Sequence, residues 1–184
     1  MRDVAAAALA CFLERGYRLT QVSDVSARLG VSVGSLYRYV ESKEALFHVA
    51  ALEAAGELAE PEALPVKVSG HDETVAAIGE MAAGDELWSV LHGLLRAETP
   101  ANVKEEAGAV GRALYDAIFA RAILISLLDR CAHEIPALAV VFDENVRHRL
   151  VNDLTAWVIG RGFVGSGGKA DAEALARGAM EAVA

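Results

Sequence analysis

A tyrosine–arginine–tyrosine run, Tyr37 to Tyr39, interrupts a sequence that is otherwise rich in alanine, leucine and valine. An arginine can fork onto a guanine edge or a phosphate, and tyrosine hydroxyls can donate to phosphate oxygens. Lys43 follows directly after Ser42, a preferred N-cap residue, so it falls in the first turn of a helix. A cation is unfavourable there unless an anion such as phosphate docks on the same turn. These residue types and spacings therefore indicate contact with a nucleic-acid backbone.

Two short helices joined by a glycine-containing turn would position these side chains. Hydrophobic spacing predicts a helix that Thr20 caps and Gly30 ends, followed by a shorter helix that Ser32 caps. Such a pair is a helix-turn-helix, and an earlier helix ending at Gly16 is expected to pack across it.

The core takes one side of the shorter helix. Leu36 and Val40 lie four residues apart and so share the inward face. The remaining side chains are then expected to face outward: Val33, Gly34, Ser35, Tyr37, Arg38 and Tyr39.

The same pattern has another interpretation. A short helix with outward tyrosines can be a protein-contact surface, and a lysine at a helix start is often only solvated. Charge bears on the choice, since the chain carries −9 at pH 7. Residues 1–48 hold six Lys/Arg and five Asp/Glu, whereas the rest holds eleven and twenty-one. A polyanion would be tolerated by the first part and repelled by the second.

Residues 4–47 resemble the N-terminal domain of TetR-type transcriptional regulators. The resemblance is carried by Ala7/Ala8, Phe12, Gly16-Tyr17, Thr20, Val22, Val25, Leu29-Gly30-Val31-Ser32, Gly34, Ser35-Leu36-Tyr37, Tyr39 and Ser42-Lys43-Glu44-Ala45-Leu46. Val40 stands where phenylalanine is commoner in that family, Ser26 where alanine is usual, and no basic arm precedes the first helix. The resemblance implies DNA contacts at Thr20, Val33, Gly34, Ser35, Tyr37, Arg38, Tyr39 and Lys43.

Beyond residue 60 the helical spacing continues without strand signals, which predicts an all-α chain of roughly nine helices. One of them is expected to run from Thr99-Pro100 to about Cys131. We predict two domains: a helix-turn-helix DNA-binding domain over residues 1–48 and a larger helical domain over residues 49–184. For the second, the resemblance extends only to architecture and implies a domain that dimerises and encloses a ligand pocket.

Two groups of residues are candidates for these roles. The last long helix carries a broad apolar stripe that suits a homodimer interface, although it equally suits the chain's own core. The stripe consists of Leu150, Val151, Leu154, Trp157 and Val158. Candidate effector contacts are the polar groups on apolar helices, Trp88, His92, Tyr115 and Arg121, each of which could instead be a satisfied edge residue.

These features predict a cytoplasmic, homodimeric, ligand-responsive transcriptional regulator, a repressor that binds an inverted-repeat operator in double-stranded DNA. The alternative is an all-helical ligand carrier or protein-interaction protein whose helix-turn-helix does not bind DNA. No cofactor is predicted, because His133-Glu134 lacks a third metal ligand, and no nucleophile–base pair indicates an enzyme. The longest uncharged run has ten residues, fewer than the about 20 a membrane helix needs, so no membrane partner is expected.

Overall fold

The computed structural model describes residues 1–84, 86–97, 102–140, 148–164 and 168–181. Within these ranges the chain forms eleven α-helices and one 3₁₀ turn and contains no strand, which confirms the all-α class. Nine of these helices have seven residues or more, in agreement with the predicted number. The helices group into two compact units, Met1–Met81 with Ile123–Phe142, and Ala82–Ala122 with Asp143–Ala184.

The first unit contains the predicted helix-turn-helix. Its helices are α1 (Arg2–Leu19), α2 (Val22–Leu29), α3 (Val33–Leu36), α4 (Lys43–Ala55), α5 (Asp72–Gly84), α8 (Ala122–Cys131) and α9 (Pro136–Val140). Helix α1 packs along α4 and against α2, and an aromatic cluster fills the centre. The rings of Phe12 and Phe47, both fully buried, meet edge to face at 5.2 Å, and Tyr17 packs against both. Such edge-to-face pairs add to the stabilisation from burial alone.

The second unit is built from α6 (Glu86–Arg96), α7 (Val103–Ala120), α10 (Arg149–Gly160) and α11 (Gly168–Glu181). Helix α10 packs against α11 and α6, and α6 packs against α7. Arg161, just after α10, forms a bidentate ion pair with Glu106 on α7, with Nε–Oε2 and Nη2–Oε1 distances of 2.8 and 2.7 Å. The guanidinium next to Glu106 lowers the pKa of that carboxyl.

Most predicted helix ends of the N-terminal region are confirmed. Gly16 breaks α1 with φ +77° and Gly30 ends α2 with φ +68°, both conformations that favour glycine. Ser32 and Ser42 cap α3 and α4 by accepting from the backbone N–H groups of Ser35 and Ala45.

Other predicted boundaries are corrected by the structure. Helix α2 is capped by Gln21, not Thr20, because the side chains and backbones of Gln21 and Asp24 form a reciprocal capping box. The helix predicted to reach Cys131 breaks at Arg121, which leaves the helical conformation between α7 and α8. Thr99-Pro100 lies outside the described residues, and α7 begins at Val103 with Asn102 as its cap. The domain division after residue 48, which falls within α4, stays a prediction.

Candidate nucleic-acid interface

Helix α3 is short, and two side chains fix it to the unit beneath. Leu36 is 1% exposed and Val40 is fully buried, as the four-residue spacing predicts. The turn before α3 is held by backbone bonds, in which Gly30 N–H donates to Ala27 O at 3.1 Å and Val31 N–H donates to Ser26 O at 3.0 Å. The inward side chains and the turn therefore set the orientation of α3, and the outward side chains are not needed for packing.

The outward face carries the aromatic and cationic groups. Val33, Tyr37 and Tyr39 are all more than a third exposed despite their apolar area, and Gly34 and Arg38 are exposed as well. Ser35 is half-buried, and its hydroxyl accepts from Arg38 Nη2 at 3.4 Å. Within the described ranges Arg38 forms no ion pair, so its guanidinium remains available to a base edge or phosphate.

Three other arginines of the N-terminal helices are already paired with carboxylates. Arg15 forms an ion pair with Asp24 at 2.9 Å, and Arg28 pairs with Glu14. Arg18 lies 3.9 Å from Glu134, whose other oxygen accepts from the Arg18 backbone N–H at 2.6 Å. Arg38 differs from these three arginines because it has no carboxylate partner among the described residues.

Lys43 lies at the start of α4 as predicted, but its ammonium has partners within the protein. Lys43 Nζ lies 4.4 Å from the centre of the Tyr17 ring and donates to the carbonyl oxygen of Arg18 at 3.3 Å. Burial lowers the pKa of this lysine, with nearby carboxylates opposing the effect. Contact between Lys43 and a phosphate would thus have to replace or extend an existing cation–π contact.

Thr20 is placed differently from the other predicted contacts. Its side chain is 1% exposed, and its hydroxyl lies 2.7 Å from the Gly16 carbonyl oxygen and 3.0 Å from that of Cys11. Both carbonyls belong to α1, which is interrupted at Gly16, so the Thr20 hydroxyl joins the residue after α1 back to this helix. In this conformation the Thr20 side chain does not reach the surface.

One element beside this face was not predicted. Residues 57–70, which we name the strap, follow the left-handed Gly56 at the end of α4. Val66 N–H donates to Tyr39 O at 2.8 Å, and Glu41 N–H donates to Val66 O at 2.9 Å. Lys67 forms an ion pair with Glu41 at 2.9 Å. The 26 residues that separate these two side chains explain why no local spacing signals the contact.

The family comparison falls on the same helices. Residues 4–50 match the family described as bacterial regulatory proteins of the tetR family. This match supports a DNA-binding role in transcription regulation.

Comparison of whole chains adds less. A solved structure from Mesorhizobium loti MAFF303099, described as a TetR-family transcriptional regulator, aligns over 99% of this chain and 93% of its own with 20% identity and a TM-score of 0.42. That score is too low to support conclusions about the remaining helices. No curated protein matches the chain significantly.

In the second unit, the predicted effector contacts lie on α6, on α7 and just after α7. Trp88 and His92 lie together on α6, with ring centres 6.4 Å apart. His92 Nδ1 lies 2.6 Å from an Asp153 carboxylate oxygen, which also accepts from Arg96 Nη2 at 3.3 Å. Asp153, on α10, was not predicted, because 61 residues separate it from His92.

The other two predicted contacts lie on α7 and at its C-terminal end. Tyr115 on α7 is half exposed and its ring stacks on that of Phe119 at 5.5 Å. Arg121 is half-buried and occupies the C-cap of α7. The assignment of all four residues to an effector site stays a prediction.

The predicted dimer stripe is placed in the core of the chain. Leu150, Leu154, Trp157 and Val158 are all buried, and their helix packs against α11 and α6 of the same chain. The apolar stripe thus already has its partner, which was the second interpretation of the pattern. The assignment of this stripe to a dimer interface stays a prediction.

The negative predictions concern metal and membrane. Glu134 accepts from the Arg18 backbone, and no His, Cys, Asp or Glu cluster suited to a metal ion occurs in the part of the chain that the structure describes. Both cysteines, Cys11 and Cys131, are buried free thiols, and burial raises the pKa of Cys131 to about 12. Among the described helices, none combines the length and apolarity that crossing a membrane requires.

Proposed function

We propose that the protein is a ligand-responsive repressor that binds an inverted-repeat operator as a homodimer, with α3 in the major groove. The observation that carries this proposal is the outward face of α3, where Tyr37, Arg38 and Tyr39 are exposed while Leu36 and Val40 hold the helix in place. An arginine presented by a rigid helix can fork onto guanine, and flanking tyrosine hydroxyls can donate to phosphates.

The small size of the DNA-contacting surface on α3 requires two copies of the protein for specific recognition of DNA. Helix α3 spans only Val33–Leu36 and continues into a turn, so one copy reaches few base pairs. A two-fold dimer doubles the contacts and imposes an inverted repeat, with half-sites about one helical turn of DNA, or a multiple, apart. We expect the dimer face to include residues outside the α10 stripe, since that stripe is buried within the chain.

Selection from random duplexes with purified protein tests this function. The expected product is an inverted repeat at the stated spacing, and the protein should sediment as a dimer at micromolar concentration. Enrichment of no sequence, together with the absence of salt-dependent duplex binding, would support a helical carrier or protein-interaction function instead. A protein that sediments as a monomer would refute the dimer.

Substitution of the two cations separates base reading from backbone contact. Arg38→Ala should cost about 1–3 kcal/mol per half-site and relax the preference at one base position. Lys43→Ala should weaken all sequences alike and reduce the salt slope by about one per half-site, with the loss moderated because free Lys43 is held on the Tyr17 ring. Wild-type binding by both variants would mean that another surface contacts DNA.

The effector is proposed to be a flat or elongated organic molecule that binds the second unit near Trp88 and His92. It can release DNA only through its different affinities for two states of the protein, typically about 1–3 kcal/mol. A Trp157→Phe variant leaves Trp88 as the fluorescence reporter. A true effector should change this signal and release DNA over the same concentration range. A compound that binds without shifting DNA affinity would refute the coupling.

A further inference from the structure

Backbone hydrogen bonds join the strap to the residues that follow α3. Beyond α3 the carbonyl of Tyr39 and the N–H of Glu41 leave the helical pattern, and Val66 pairs with both, at 2.8 and 2.9 Å. This short parallel bridge satisfies two polar groups that would otherwise need water. The strap is therefore a neighbour of the predicted DNA face and is fixed to it at Val66.

Side chains of the strap alternate between the core and the solvent. Val66 and Val68 are half-buried and pack against the core of the first unit, as does Leu58 earlier in the strap. Lys67, between the two valines, points outward and is 69% exposed. Further along, Ser69 N–H donates to Glu73 at 2.8 Å, which fastens the strap to the first turn of α5. Lys67 is thus presented by an anchored, extended segment.

The location of Lys67 matters because of Glu41. Glu41 lies between Tyr39 and Lys43, two predicted phosphate contacts, and its carboxylate is 54% exposed. An unpaired carboxylate there would repel the DNA backbone. Lys67 Nζ lies 2.9 Å from this carboxylate and so neutralises it. An ammonium has three donors, so Lys67 can keep Glu41 and still donate to a phosphate oxygen.

We infer that the strap is part of the DNA-binding surface and that Lys67 contacts a backbone phosphate, one in each half-site. The inference rests on the proposed DNA binding by α3. It extends the functional surface beyond residues 1–48 to the segment between α4 and α5. Exposed ion pairs contribute little to stability, so Lys67 can be replaced without unfolding the unit.

The test measures binding to a mixed-sequence DNA duplex of roughly three helical turns over a range of salt concentrations. Loss of one phosphate contact should reduce the magnitude of the slope of log K against log salt by about 0.9, and weaken binding roughly eight-fold at 0.1 M salt. Lys67→Gln should show this loss for each half-site, whereas Lys67→Arg should retain wild-type slope and affinity. Lys169→Ala is the matched control, since Lys169 is also exposed and lies 3.9 Å from a glutamate in the other unit.

A Glu41→Gln background separates phosphate contact from charge neutralisation. If Lys67 contacts phosphate, Lys67→Gln should still reduce the slope and the affinity when position 41 carries no charge. Wild-type slope for Lys67→Gln in either background would overturn the inference. Unchanged urea midpoints for the variants are expected and confirm that folding is intact. Should the wild-type protein itself show no salt-dependent binding, the proposed function fails and not only the role of Lys67.

Discussion

Gly16→Ala should destabilise the first unit strongly, because two features of the structure oppose a side chain at this position. Gly16 has φ +77° and ψ 174°, a backbone conformation that is essentially restricted to glycine. A Cβ atom built on it would lie 3.2 Å from Glu134 Oε2 and 3.6 Å from the Arg130 carbonyl oxygen. That same Glu134 oxygen accepts from the Arg18 backbone N–H at 2.6 Å. The substitution therefore strains the backbone and displaces a hydrogen-bonded carboxylate.

The expected cost follows from these two terms. Forcing a non-glycine residue into this region costs about 1–3 kcal/mol, and weakening the Glu134–Arg18 hydrogen bond adds about 1 kcal/mol. A total of roughly 2–4 kcal/mol is expected, which corresponds to a fall in Tm of about 2–4 °C for each kcal/mol in a chain of this size.

Gly30→Ala is the matched control. Gly30 also has a positive φ, +68°, but with ψ 27° it lies in the ordinary left-handed region, and a Cβ there would meet nothing within 4 Å. Alanine at this position should cost only about 1–2 kcal/mol. Urea unfolding followed by far-ultraviolet circular dichroism gives both values. If Gly16→Ala costs no more than Gly30→Ala, the role assigned to the Gly16 break is wrong.

Two further predictions concern the second unit and the pH dependence of stability. Leu154→Asp should unfold the second unit rather than dissociate a folded dimer, since Leu154 is buried against its own chain. Ile159→Asp, at an exposed position of the same helix, should change the free energy of unfolding by only about 0.5 kcal/mol. Sedimentation together with circular dichroism distinguishes unfolding from dissociation, and a folded Leu154→Asp monomer would support α10 as the dimer interface. Burial lowers the pKa of both His48 and His71 below 6.5, so as pH falls below 6.5 the unfolded chain binds protons at these residues more readily than the folded chain does. Their contribution to stability is therefore complete above pH 6.5 and is lost as pH falls from there through the folded-state pKa. His48→Gln, which keeps a hydrogen-bonding group near Thr74, should reduce the fall in Tm between pH 7.5 and 5.5, and an unchanged fall would exclude His48 as a contributor.

The N-terminal helices could be predicted because their determinants are local. Ser32 and Ser42 cap the helices that follow them, and the four-residue spacing of Leu36 and Val40 identifies the buried side of α3. Capping and helical periodicity depend on residues within one or two helical turns of each other, so both can be recognised in the sequence.

Periodicity does not reveal what a buried face is buried against. The apolar stripe through Leu154 and Trp157 packs against α6 and α11 of its own chain. Whether such a stripe contacts its own chain or a second copy depends on how those helices pack, which the spacing of residues does not show. The burial of Thr20 was not predicted for a related reason, because its hydroxyl bonds to carbonyls at Gly16 and at Cys11, nine positions earlier in the chain.

Contacts between distant residues were the least predictable part of the site. The pairs Lys67–Glu41 and His92–Asp153 join residues 26 and 61 positions apart. Either pair requires the chain to return to an earlier element, and no pattern of neighbouring residues specifies that return. The same holds for Lys43, whose position at a helix start was predictable and whose cation–π contact with Tyr17 was not.

The most direct test of the central claim, that α3 binds DNA through its outward face, is duplex affinity against salt concentration for the wild-type protein and Arg38→Ala. The wild-type protein should lose affinity steeply as salt rises, because neutralised phosphates release counterions. Arg38→Ala should bind the selected operator about 1–3 kcal/mol per half-site more weakly and lose the preference at one base position. Affinity that does not change with salt, or an Arg38→Ala variant that retains wild-type affinity and sequence preference, would contradict the claim.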